Sequence, residues 1–277
     1  MKAKDLLILA KQEKRAVLAI NVSNMETISA ALEVAHKMSY PIIIQVSPIQ
    51  IVAQKLSYKL FMDLVTCLAN YFPCEYIVHL DHATSFDECK NAIDAGFHSV
   101  MFDGSKQVYE ENVRITSQVV EYAHDRNVSV EAELGRVGGE EGTYTTNHEA
   151  FLTSMEEVID FCSRVKIDAL AVAIGNAHGF YTEEVKLNFT RLKEIADFTD
   201  LPLVLHGGSG ISRQDLKKAI SLGISKINLF TELDHAFVKG FISKFNENNC
   251  VYMMFAQQCG KEEMMKVLYD KMLICKQ

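Results

Sequence analysis

Residues 76–83 read Tyr76-Ile77-Val78-His79-Leu80-Asp81-His82-Ala83, a short apolar run closed by a carboxylate and two imidazoles. A run of this length and type makes a buried strand, so the pattern predicts one over Tyr76–Leu80. Side chains alternate in direction along a strand, and the exit of the strand breaks the alternation. Asp81 and His82 can then reach one point beyond the strand end. Imidazole is the commonest metal ligand and an adjacent carboxylate is a ready general acid or base. An isolated Asp-His pair more often only satisfies local hydrogen bonds, so its meaning depends on the rest of the chain.

Working outward, short apolar runs alternate with helical patterns along all 277 residues. The runs are 16–20, 41–46, 76–80, 99–102, 128–132, 169–174, 202–205 and 226–229. Helical periodicity fills the gaps at 27–38, 56–70, 85–95, 109–125, 155–164, 189–197, 212–222 and 233–246. Eight strands, each followed by a helix, is the count of an α/β (β/α)8 TIM barrel, typically ~250 residues long. The strands read as apolar throughout, as expected when both faces are covered. A doubly wound open sheet is the competitor, but no G-x-G-x-x-G follows the first strand. Only four prolines and fourteen glycines occur, with no linker-like stretch, so 1–277 is expected to form a single barrel domain. Segments 3–14 and 261–274 would be additional N- and C-terminal helices.

The polar residues fall just past the C-terminal ends of these strands, the face on which such barrels build active sites. They include Asn21 and Asn24, Ser47, Asp81 and His82, Asp103, and Glu131 with Glu133. After strands six, seven and eight come His178, His206 and Asn228. Three histidines from three strand ends, His82, His178 and His206, have no zinc-finger spacing and suit a catalytic zinc with one open position. Gly207-Gly208-Ser209-Gly210 opens a helix, and with Asn228 to Thr231 it makes a phosphate cradle after strands seven and eight. The glycine-flanked Glu140-Glu141 suits a mobile flap, with a solvated acidic turn as the plain alternative. A lysine Schiff base would need a lysine at the mouth, and no predicted strand end presents one there.

Composition bounds the remaining choices. A hydrophobic content of 48% and a formal net charge of −8 describe an ordinary globular chain with no electrostatic case for nucleic acid. No stretch approaches a membrane span. Seven scattered cysteines without a C-x-x-C pair fit a reduced, cytoplasmic setting and mostly buried thiols.

The motifs V-H-L-D-H-A, V-E-A-E-L-G-x-x-G-G-x-E, A-I-G-x-A-H-G, L-V-L-H-G-G-S-G and K-I-N-x-x-T-E-L together resemble the class II, zinc-dependent ketose-bisphosphate aldolases. That family includes fructose-bisphosphate and tagatose-bisphosphate enzymes. The resemblance implies His82, His178 and His206 as zinc ligands and Asp81 as the group that moves the C4 hydroxyl proton. It further implies a second or displaced divalent metal at Asp103 and Glu133, and Glu141 as the acid acting on the α-proton of dihydroxyacetone phosphate. Gly179, Gly207, Gly208, Ser209, Asn228, Leu229, Phe230 and Thr231 would hold the phosphate beside a monovalent cation, Na+ or K+. Asn24 and Ser47 would lie near the substrate carbonyl. Fructose 1,6-bisphosphate is the leading substrate, and a homodimer or homotetramer the expected assembly. Phe230 stands where the family commonly has a small or polar residue, and the tail 250–254 lacks its Asp-Pro-Arg stretch. Both departures touch the aldehyde half, so a tagatose bisphosphate or other ketose phosphate stays open. A metal-dependent hydrolase, with Asp81 activating water, and a silent barrel subunit are the other readings.

Overall fold

In the computed structural model, which describes residues 2–139, 144–145, 152–181, 185–246 and 252–276, helix α1 (Ala3–Gln12) precedes a regular alternation. It runs β1 (Val17–Asn21), α2 (Met25–Met38), β2 (Ile42–Val46), α3 (Pro48–Ala53), α4 (Tyr58–Ala69), β3 (Tyr76–Ala83), α5 (Phe86–Asp94), β4 (Ser99–Phe102) and α6 (Tyr109–His124). Next come β5 (Ser129–Leu134), β6 (Tyr144–Thr145), α7 (Met155–Arg164), β7 (Ala169–Val172), β8 (Phe180–Tyr181), α8 (Phe189–Phe198) and β9 (Leu203–Leu205). The order closes with α9 (Arg213–Ser221), β10 (Ile224–Leu229), α10 (Thr231–Asn246) and α11 (Met253–Cys275). Strands β1, β2, β3, β4, β5, β7, β9 and β10 form a closed parallel barrel in chain order, with β10 pairing back onto β1. This is the expected (β/α)8 TIM barrel. Two short strands, β6 and β8, pair separately.

Local sequence sets the element ends. Ser85 caps α5 by accepting from the Glu88 N–H, while Glu88 reaches back to the Ser85 N–H. Asn24 and Thr27 do the same for α2. The outward faces of the strands and the inner faces of the helices form one core that includes Leu18, Ile44, Val78, Phe102 and Leu205. Each such side chain contributes roughly 1.5–3 kcal/mol when fully buried.

Inside the barrel the apolar expectation fails. The inward register is mixed: Val17, Ala19, Ile43, Ile77, Met101 and Val204 cluster with Leu6, Leu7 and Ala10 of α1. The same alternation turns Asn21, Gln45, His79, Asp81, Ser99, Glu131, Glu133, Lys226 and Asn228 inward, all of them buried. Helix α1 therefore stoppers the floor. Lys4 pairs with Asp168 at 2.9 Å, its N–H donates to Ser129 Oγ, and Lys11 donates to the carbonyls of Thr199 and Leu201.

Further corrections concern individual elements. Strand β3 runs on through the motif to Ala83, and β10 begins at Ile224, two residues before the expected Lys226. The short α3 after Ser47 was not expected, and α11 starts eight residues before the expected Lys261. Of the six described cysteines, all free, only Cys89 and Cys275 are buried.

Candidate active site

Strand β3 ends in a backbone irregularity that builds the site. Its pairing to β4 slips between Leu80 and Ala83, and His82 has φ of 49°. That left-handed conformation costs a residue with a Cβ about 1–3 kcal/mol and gathers at functional sites. It brings consecutive side chains, Asp81 and His82, into one neighbourhood, with 3.9 Å between Asp81 Oδ2 and His82 Nε2.

Asp81 is fully buried and held by three carboxamides from three other strands. Asn21 and Gln45 donate to Oδ2 at 3.0 and 3.1 Å, and Asn228 donates to Oδ1 at 3.2 Å. Burial alone would raise its pKa, but His82, His206 and Lys226 outweigh burial and hold it well below the usual carboxylate range. Beside it, Gln45 Oε1, Asn228 Oδ1 and Gln50 Nε2 are buried without partners among the described residues. Buried polar atoms left open in this way suit a hydroxylated ligand.

The three histidines converge. Their ring centres lie 4.7 Å (His82–His206), 5.0 Å (His82–His178) and 6.0 Å (His178–His206) apart, with one ligand atom from each inside 4.8 Å. His82 Nδ1–H donates to Asp103 at 2.9 Å, and His206 Nε2–H donates to Glu131 at 2.9 Å. The remaining nitrogens, His82 Nε2 and His206 Nδ1, then face each other at 3.0 Å. Two lone pairs at that distance need a cation between them, and nitrogens on one tetrahedral zinc stand roughly 3.3 Å apart. Burial lowers the affinity of His82 for a proton, but Asp81 and Asp103 outweigh it and push the pKa up to about 10. A proton thus fills the gap that a metal fits. Burial pushes His206 and His178 down, as a neutral ligand requires.

Asp103 and Glu133 complete a second group with His82, also inside 4.8 Å. Asp103 serves as the carboxylate behind His82 Nδ1. Among the described residues, the Glu133 side chain accepts only from the Val137 N–H, at 3.2 Å, and its Oε2 has no partner. Burial and the neighbouring Asp103 push its pKa up to about 8.

The glycine-rich turn after β9 is shaped by close approach. At Gly207, φ is 61° and a Cβ would stand 2.0 Å from the Ala177 carbonyl oxygen. Tyr181 ties these loops together, accepting from the Ala177 N–H and donating to the Gly207 carbonyl. Gly208 N–H donates to the Asn228 carbonyl, and Ser209 Oγ accepts from the Glu232 N–H at the start of α10. Gly179 and Thr231 are buried nearby in sequence order, whereas Leu229 packs in the core and Phe230 is half-buried.

Not every expected residue reaches the centre. The Asn24 side chain caps α2, and Asn21 is the asparagine that reaches Asp81. Ser47 caps α3, its hydroxyl donating to Gln50 Oε1 at 3.2 Å. Glu141 lies outside the described residues. Reading the strands as apolar missed Gln45, Glu131 and Lys226 as interior groups, although Val-Glu-Ala-Glu and Ser-Lys-Ile-Asn carry the alternation that marks them. Lys226 Nζ lies 2.7 Å from Glu131 and 3.2 Å from His79 Nε2. His79 in turn donates Nδ1–H to Ser99 Oγ at 2.9 Å, and burial pulls its pKa down to about 3.

Comparison with known proteins gives a consistent result. The family described as fructose-bisphosphate aldolase class-II matches residues 1–277. A fructose-bisphosphate aldolase of Staphylococcus epidermidis is 44% identical over 254 residues, covering 90% of this chain and 87% of that one. One from Geobacillus stearothermophilus is 45% identical over 239 residues, covering 85% and 82%. Among solved structures, a putative fructose-1,6-bisphosphate aldolase from Coccidioides immitis superposes with TM-score 0.87 at 29% identity, covering 99% and 96%. The YdjI aldolase of Escherichia coli K12 does so with TM-score 0.83 at 31% identity, covering 98% and 95%.

Proposed function

The chain belongs to the class II fructose-bisphosphate aldolase family, and on that premise we propose that Asp81 moves the reaction's proton beside a zinc held by His82, His178 and His206. The reaction is aldol cleavage of a phosphorylated ketose and its reverse. Fructose 1,6-bisphosphate gives dihydroxyacetone phosphate and glyceraldehyde 3-phosphate. The observation that carries the residue roles is a buried, three-amide-bound carboxylate 3.9 Å from one of three clustered imidazoles.

When bound, zinc supplies Lewis-acid polarisation of the substrate's carbonyl and hydroxyl oxygens. Asp81, kept ionised, takes the C4 hydroxyl proton as the C3–C4 bond breaks and its electron pair passes to the enediolate. Gln45 Oε1, Asn228 Oδ1 and Gln50 Nε2 offer partners to the sugar's hydroxyl and carbonyl groups. Glu141 then returns a proton to the α-carbon of dihydroxyacetone phosphate. Gly179, Gly207 to Ser209 and Asn228 to Thr231 hold the phosphate, with Na+ or K+ beside it. Asp103 and Glu133 offer a place for a second or displaced divalent ion.

We assign the chain to the cytoplasm; no helix among the described residues is long and apolar enough to cross a membrane. A homodimer or homotetramer fits the exposed apolar stripe Val238, Ile242 and Phe245 on α10. A coupled assay on fructose and tagatose 1,6-bisphosphates, with and without chelator, tests the function. Cleavage of one or both that chelator abolishes and zinc restores is the expected result. Chelator-resistant cleavage overturns the metal role, and equal turnover of a ketose lacking the 1-phosphate overturns the phosphate site.

A further inference from the structure

Lys226 is 1% exposed, sits in the middle of β10, and takes no part in the proton transfers above. Its ammonium donates to Glu131 Oε2 at 2.7 Å and to His79 Nε2 at 3.2 Å, and His79 is anchored on Ser99. The other oxygen of Glu131 accepts His206 Nε2–H at 2.9 Å. We infer that Lys226 is a positioning residue for the metal site, gripping Glu131 so that His206 keeps Nε2 protonated and turns Nδ1 toward His82 and His178.

The argument rests on the zinc reading and on the two faces of one carboxylate. An imidazole can present a lone pair on Nδ1 only while its proton sits on Nε2, and an acceptor facing Nε2 fixes that tautomer. Glu131, 2% exposed, is such an acceptor only while its carboxylate is held with Oε1 toward His206, and the 2.7 Å bond from the Lys226 ammonium to Oε2 fixes that orientation. His79 holds the ammonium from its other side, which accounts for a second buried imidazole one layer below the mouth.

Zinc dissociation constants from chelator competition, together with the absorption spectrum of the cobalt-substituted full chain, test this in four proteins. They are the wild type, Lys226→Met, Glu131→Gln and the double variant. In Glu131→Gln the amide oxygen turns to the Lys226 ammonium and its NH2 faces His206, reversing the tautomer. Affinity should fall 10–100-fold and the cobalt bands should shift. Lys226→Met should lose a comparable factor. In the double variant the amide oxygen is free to accept from His206 and the NH2 can turn to His79, 3.9 Å from the Glu131 oxygen it replaces. Most of the affinity and the wild-type spectrum should return. A double variant whose loss equals the product of the two single losses overturns the inference, as does a Lys226→Met protein that binds zinc like the wild type. If Lys226→Met fails to fold, the double variant should fold, and its failure to do so also overturns the inference. Wild-type protein that takes up no zinc overturns the zinc reading first, which is a distinguishable result.

Discussion

Asp81 and Glu133 are both fully buried carboxyls beside His82, yet the barrel drives them in opposite directions. Asp81 receives N–H donors from β1, β2 and β10, and cationic partners surround it. Among the described residues, Glu133 receives one backbone N–H, leaves one oxygen without a partner, and lies against Asp103. Burial is common to both, so burial does not set the charge. What differs is the charge the neighbouring strands bring up, His82 and Lys226 at Asp81 against the carboxylate of Asp103 at Glu133, and one site can therefore keep one buried carboxyl ionised beside another that holds its proton.

The largest expected effect separates the two by substitution. Asp81→Asn keeps the shape and removes the base, so cleavage should fall by about 10²–10⁴-fold while zinc content stays near wild type. Glu133→Gln should cost far less in cleavage. Similar losses in both variants, measured by a coupled assay beside metal analysis, would break the contrast.

A second test uses stability. The folded pKa of Glu133, about 8, lies above its unfolded value near 4.5, so between those limits the native state binds more protons than the unfolded chain. Its contribution is fully present below about pH 4.5 and is lost as pH rises through 8, on the order of a few kcal/mol. Urea unfolding of chelated protein at pH 5, 6.5 and 8 should show the wild type losing ground to Glu133→Gln as pH rises. Parallel curves for the two proteins count against the raised pKa.

Gln45→Leu sharpens the other side. A hydrogen bond to a charged group contributes roughly 1.5–3 kcal/mol, so loss of one of the three donors should raise the Asp81 pKa. The acid limb of the kcat profile should move to higher pH, because activity is then lost earlier as pH falls. An unmoved limb would show that the amides do not hold the charge. The smallest effect is expected at Asn24, three residues from Asn21 but outside the donor set. Asn24→Ala should cost about 1 kcal/mol of stability through the lost helix cap, with KM for the ketose unchanged. A large rise in KM would restore Asn24 to the substrate.

The periodicity of eight runs and eight helices carried the barrel, because strand and helix periods differ enough to survive without any alignment. The three histidines were legible for the same reason, since strand ends in a barrel all face one opening. The donor set of Asp81 was not. In a strand covered on both faces, outward valines and isoleucines mask an inward row such as Gln45 or Lys226, and the run reads as uniformly apolar. Nor does any composition signal announce that His82 would adopt a left-handed backbone and let β3 run on to Ala83. Ser47-Pro48 did carry a helix start, a cap followed by proline at the first helical position, and that signal could have placed α3 and Gln50.

The stopper at the floor of the barrel has a meaning in time as well as in space. Helix α1 leaves the ribosome well before its seat exists: Lys4 waits for Ser129, 125 residues on, and Lys11 for carbonyls 188 and 190 residues on. Glu131 waits a further 95 residues for Lys226. Contacts this distant in sequence form late and slowly, because loop closure must come first. The carboxylates inside the barrel are therefore fully enclosed only in a chain whose last strand, β10, has been made and paired with β1.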